Sequence, residues 1–184
     1  QKFENIFDTH SHYDDDKFDS DRFSLLKSLK GKGVCNVVSC GCDINSTKFN
    51  QLLAQKFDFV YFAAGLHPEN LEGCTESDID EIAKIAADEK CVAIGEIGLD
   101  YYWDKEPTVQ QAQREMFCRQ LALAKEMSLP VIIHSRDAAE DTMNIMQQAH
   151  KDGIPGVIHC YSYSKEMAKE SVSYTHLRAH ETRS

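Results

Sequence analysis

No apolar run in the 184-residue chain approaches the roughly 18 residues of a membrane-spanning helix, and no basic segment leading into an apolar stretch opens it. These absences point away from a membrane or secreted protein. The expectation is a cytoplasmic or nuclear enzyme with no membrane partner and no obligate protein partner. Positive charge is also scarce, since 20 Lys and Arg stand against 30 Asp and Glu for a net charge of -10. General attraction to a nucleic-acid backbone is therefore excluded, and a phosphate-bearing substrate would have to be held by local groups or metal ions. Disorder is excluded as well, because 42% hydrophobic and 27% charged residues are ordinary for a globular domain.

Seven cysteines are an odd number, and most sit in apolar runs such as VCNVVSC and KCVAIGE. That pattern predicts buried thiols in a reducing compartment rather than a disulfide framework. Cys40-Gly-Cys42 is too tight, and lacks the second pair, for a structural zinc site.

Against these absences stands a regular alternation of β-type and helix-type stretches. The strands read as NIFDTH, GVCNVVSCG, FVYFAAGLH, CVAIGEIG, PVIIHSR and GVIHCYS, with five helical patterns between them. Cap signals at Asn45-Ser46-Thr47 and Thr75-Glu76-Ser77-Asp78 begin two helices, and Gly33 and Gly153 end two. In the longest helix, Val109, Ala112, Met116, Leu121, Ala124 and Met127 recur near i+3/i+4 spacing, predicting one buried face. Six β-α repeats with nearly continuous apolar strands imply a parallel sheet covered by helices. Two architectures fit: an open doubly wound sheet, or a TIM-barrel-type (β/α) repeat cut short at about six of eight units.

The polar residues at the strand ends carry the chemistry. Strand one ends in His10 and His12, strand three in His67, strand four in Glu96 with Asp100 just after, strand five in His134 with Arg136, and strand six in His159. In a barrel these ends converge on one rim, where catalytic groups of that fold lie. A lone histidine after an apolar strand is more often a hydrogen-bonded structural residue than a ligand. Glu96 is more telling, because a carboxylate inside VAIGEIGL needs a cation or several donors to offset desolvation. Imidazoles plus one carboxylate suit zinc and would accept manganese, iron or magnesium. Two histidine pairs, His10 with His12 and His134 with His159, flank Glu96, a layout able to hold two divalent ions with the carboxylate between them.

The ordered motifs DTHSH, GLHPE, GEIGLDYYW, PVIIHSRDA and GVIHCYS, spanning about Ile6 to Glu170, resemble those of the TatD family of metal-dependent deoxyribonucleases. That family belongs to the amidohydrolase-like hydrolases built on a TIM barrel. The resemblance implies that His10 and His12 bind one metal, His134 and His159 the other, and Glu96 bridges them as a catalytic ligand. It also implies that His67 and Arg136 meet the substrate phosphate, that Asp100 supports the site, and that DNA is cut near an end by a metal-activated water. Two other expectations compete: a related hydrolase of small esters or amides, and a non-catalytic metal-binding fragment. Relatives of the first kind often carry a carboxylated lysine on strand four, where this chain has Glu96.

The chain departs from the family after strand six. The resemblance calls for an aspartate near the end of strand eight, but the sequence closes in SVSYTHLRAHETRS, with no expected strand seven or eight. Val172 to Thr182 resembles a translated transposase sequencing adapter. Residues 1–170 are accordingly expected to form the hydrolase domain and 171–184 a non-native tail, which discounts His176 and His180 as ligands. Six strands cannot close an eight-stranded barrel, so the 184-residue product is expected to be unstable or to aggregate, with little nuclease activity.

Overall fold

The computed structural model describes residues 4–172 and 176–177. Its strands are β1 (Ile6–Ser11), β2 (Val34–Cys40), β3 (Val60–Ala64), β4 (Cys91–Asp100), β5 (Val131–Arg136), β6 (Gly156–Ile158) and β7 (His176–Leu177). Between them run α1 (Arg22–Leu29), α2 (Ile44–Lys56), α3 (Glu76–Ala86), α4 (Pro107–Met127), α5 (Ala139–Lys151) and α6 (Lys165–Val172). Every strand pairs in parallel with the next, so the sheet order is β1-β2-β3-β4-β5-β6-β7. A doubly wound sheet reverses its strand order at a switch point. The unbroken sequential order instead belongs to a barrel wall, here an open one.

Each strand divides its side chains between two cores by its period of two. Val37, Phe62, Ala64, Ile94, Val131 and Ile133 pack in the large cluster that includes buried residues of the helices, while Val38, Cys40, Ala63, Ala93 and Ile132 form a small cluster of their own. Strands buried on both faces explain the continuous apolar runs.

Four details depart from the sequence expectations. Helix α2 is capped by Asp43, whose Oδ1 accepts from the Ser46 N–H at 2.7 Å, because a carboxylate two residues upstream outcompetes the Asn45 signal. In α4 the buried stripe is Gln113, Met116, Phe117, Gln120, Leu121, Leu123 and Ala124, and Val109 is exposed. Both buried glutamines hydrogen-bond backbone at or just beyond a strand end, which polarity alone conceals. Of the seven free cysteines only Cys40 and Cys91 are buried, since Cys118 lies on the outer side of α4 and Cys160 beyond the short β6. Finally, a two-residue β7 pairs with Val157 and Ile158 where no seventh strand is expected.

Candidate metal centre

The site grows from β4. Its ten residues make it the longest strand among the described residues, and Glu96 near its middle is 4% exposed. The β4 backbone comes close to its neighbours only because glycines stand there. A Cβ at Gly98, which has φ of 140°, would meet the His134 carbonyl oxygen at 2.0 Å. Position 98 therefore admits no side chain, and β4 and β5 approach closely enough for Glu96 and His134 to touch.

Both oxygens of Glu96 face imidazoles. Oε2 lies 3.2 Å from His10 Nε2 and 3.5 Å from His12 Nε2, while Oε1 lies 3.2 Å from His134 Nδ1. His134 Nε2 in turn contacts Asp100 Oδ2 at 2.9 Å. Two groups of ligand atoms result, His10 with His12 and Glu96, and His67 with Glu96 and His134, and within each the atoms lie no more than 4.8 Å apart. Glu96 belongs to both.

Hydrogen bonds fix the tautomers that such a site needs. His12 Nδ1 faces the Cys40 carbonyl oxygen at 3.1 Å, an acceptor only, so Nδ1 carries the proton. Its Nε2 faces His10 Nε2 at 3.0 Å and the Glu96 carboxylate at 3.5 Å, and once that nitrogen gives up its proton its lone pair is free for an ion. Convergence of lone pairs and a carboxylate is the donor chemistry of a cation site, so the residues present fit a divalent ion. His67 Nδ1 accepts from the Glu69 N–H at 3.3 Å, which leaves the proton of its neutral ring on Nε2.

Ionisation follows the same geometry. Burial pushes the Glu96 carboxyl up, but hydrogen bonds from His10, His12 and His134 outweigh it and hold the group well below the carboxylate range. Burial opposes charge on His12, yet Cys42 and Glu96 push its pKa up to about 11, and His134 is raised against burial by Glu96 and Asp100. His67 and His159 go the other way, to about 4, through burial and the nearby His134 and His10 respectively. Metal uptake would therefore release protons from the centre.

His159 sits beside His134 through its N–H, which donates to the Ile133 carbonyl oxygen at 2.9 Å, while its ring stacks on His10 with centroids 3.4 Å apart and planes 3° apart, and the His67 ring lies 4.4 Å from that of His134. The curl of the sheet accounts for this, since it carries the end of β6 round towards β1. Arg136 lies over the Tyr102 ring, 3.8 Å from its centroid.

Two residues that the sequence does not advertise secure the strand ends. Gln113 Oε1 accepts from the Asp100 N–H at 2.9 Å, and its Nε2 donates to the Asp100 carbonyl at 3.1 Å and to Asp104 Oδ2 at 2.6 Å. Gln120 does the same for Leu66, accepting from its N–H at 2.8 Å and donating to its carbonyl at 3.0 Å, one residue before His67. No local signal marks either one, because a buried glutamine whose partners lie 13 or 54 residues away reads like a solvated one.

A family model described as TatD related DNase matches residues 7–180. The chain belongs to that family. YabD of Bacillus subtilis, named an uncharacterized metal-dependent hydrolase, is 40% identical over 90% of this chain and 64% of its own length. A Cronobacter sakazakii protein named 3'-5' ssDNA/RNA exonuclease TatD is 27% identical over 91% of this chain and 63% of its own. The crystal structure of YJJV, a TatD homolog from Escherichia coli, superposes with a TM-score of 0.84 at 28% identity, covering 94% of this chain and 66% of that one. The chain thus spans a little under two thirds of these curated TatD-family relatives. Among the described residues no helix is long and apolar enough to cross a membrane.

Proposed function

We propose that this chain carries the metal centre of a metal-dependent deoxyribonuclease that hydrolyses phosphodiester bonds of DNA from an end. The observation behind the proposal is Glu96, a buried carboxylate whose two oxygens face different histidines. His10, His12, His134 and His159 with Glu96 would hold two divalent ions, magnesium, zinc or manganese. Bound ions would acidify a water and neutralise charge on the phosphoryl oxygens, the positive field an acidic chain otherwise lacks. The nuclease-named relative from Cronobacter sakazakii supports a nucleic-acid substrate.

The chain's own residues have defined tasks in this scheme. Asp100 Oδ2 accepts a hydrogen bond from the His134 Nε2–H at 2.9 Å and orients the ring, so that Nδ1, 3.2 Å from Glu96 Oε1, can offer its lone pair to an ion once deprotonated. His67 keeps its proton on Nε2 and can donate it to a phosphate oxygen, and Arg136 offers a second, charged donor at the same rim. Residues 171–184 we assign to a non-native tail; identity of their coding DNA with the adapter sequence would support that assignment, and a match to genomic sequence would overturn it.

The test pairs metal content with turnover. Chain stripped with a chelator and reloaded with magnesium, manganese or zinc should retain metal and shorten a single-stranded oligodeoxynucleotide, slowly because the barrel wall is open, while Glu96→Gln should do neither. Hydrolysis of small esters or amides with no release of nucleotides would replace this proposal with the related-hydrolase one.

A further inference from the structure

Beside the metal centre, the loop after β4 displays aromatic surface that a soluble fold ordinarily hides. Trp103 is 63% exposed, the most exposed large apolar side chain among the described residues, and Tyr102 next to it is 43% exposed. Their rings meet edge to face with centroids 4.6 Å apart. The Arg136 guanidinium lies 3.8 Å from the Tyr102 centroid and 5.5 Å from that of Trp103, and the Lys105 ammonium lies 5.6 Å from Tyr102. No ion pair engages Arg136 among the described residues, so its charge is offered to solvent.

This exposure is built rather than accidental. Asp100 Oδ1 accepts from the N–H groups of Tyr102 and Trp103 at 2.9 and 3.3 Å, while Oδ2 of the same carboxylate holds His134. Gln113 grips Asp100 and Asp104, Gln110 donates to the Asp104 carbonyl at 2.9 Å, and Lys105 to that of Tyr101 at 2.6 Å. One carboxylate thus sets both a candidate metal ligand and an aromatic pair. Flat exposed rings flanked by cations are what unpaired nucleobases stack on, and every base has a face to offer. In a chain of net charge -10, two cations gathered at one aromatic pair mark the place where an anionic strand is tolerated.

We propose that Tyr102, Trp103 and Arg136 form a stacking platform for an unpaired base of a single-stranded nucleic acid whose phosphate lies at the metal centre. This rests on the nuclease proposal for that centre. It adds a base-stacking contact on the loop after β4.

Trp103 is the only tryptophan of the chain, so its emission reports on the platform alone. In magnesium, a single-stranded phosphorothioate oligodeoxynucleotide, which resists hydrolysis, should quench that emission to saturation. An abasic oligonucleotide of equal length, and a blunt duplex, should quench it weakly. Trp103→Ala should weaken binding of the labelled strand, followed by anisotropy, by roughly 5- to 100-fold, the range that one stacked base supplies. Trp103→Phe should restore most of the affinity, and circular dichroism should be unchanged in both variants because no core packing is removed. Equal affinity for the abasic strand, or unaltered binding by Trp103→Ala, would overturn the platform. Quenching without any hydrolysis of ordinary DNA would keep the platform and remove the nuclease reading, whereas hydrolysis with unaltered Trp103→Ala affinity would do the reverse.

Discussion

The middle of the sheet and its β1 edge both donate to the centre, but they are built differently. Strand β4 is paired on both sides, nearly all its side chains are buried, and a glutamine from α4 grips its end. Strand β1 pairs with β2 alone, leaves Ile6 39% and Phe7 47% exposed, and positions His10 and His12 from that single partner. The difference teaches that Glu96 is a fixed point and that the β1 histidines come to it. Substitutions on β4 should therefore cost far more than substitutions on β1.

The sharpest break in that comparison is Glu96→Gln. The amide keeps the shape but replaces one acceptor oxygen with a donor, facing imidazoles that must donate or coordinate. Metal content and hydrolysis should fall by more than about 100-fold, beyond the 10- to 100-fold that outer partners of a ligand cost. Retained metal would move the centre away from β4. Gly98→Ala comes next, because its methyl would sit 2.0 Å from the His134 carbonyl oxygen at φ of 140°. Stability should drop by about 3 kcal/mol, at the upper end for overpacking, read as a lowered midpoint in urea. Gln113→Ala should cost about 2 kcal/mol, since it leaves the Asp100 N–H and C=O buried and unpaired. It should also broaden Trp103 emission by loosening the loop that Asp100 holds.

Much of this architecture is legible in the sequence, for a physical reason. Strands buried on both faces write themselves as apolar runs, and polar residues that end such runs mark one rim. VAIGEIGL shows Glu96 to be a carboxylate that needs partners, and the structure supplies three imidazoles. What the sequence hides depends on curvature and on satisfied polarity. Nothing in GVIHCYS says that the sheet curls far enough to lay His159 flat on His10. Nothing local distinguishes Gln113 from a solvated glutamine, because its partners lie on a strand 13 residues away in sequence. The expected stripe through Val109 and Ala112 errs for the same reason, since apolar periodicity ignores buried side chains that are polar yet paired.

The smallest effect tests the other half of the comparison. Phe7 lies on the edge strand opposite Asn36, so Phe7→Lys removes little buried surface and places a charge where strands otherwise pair with other molecules. Stability should change by no more than about 0.5 kcal/mol, as for surface sites free of special contacts. Self-association followed by sedimentation velocity should nonetheless decrease, because a lysine on an open edge opposes strand addition. A loss as large as that of Gln113→Ala would mean that β1 bears on the core as heavily as β4 does. His10 and His12 would then be as rigidly placed as Glu96, and the centre would have two fixed sides instead of one.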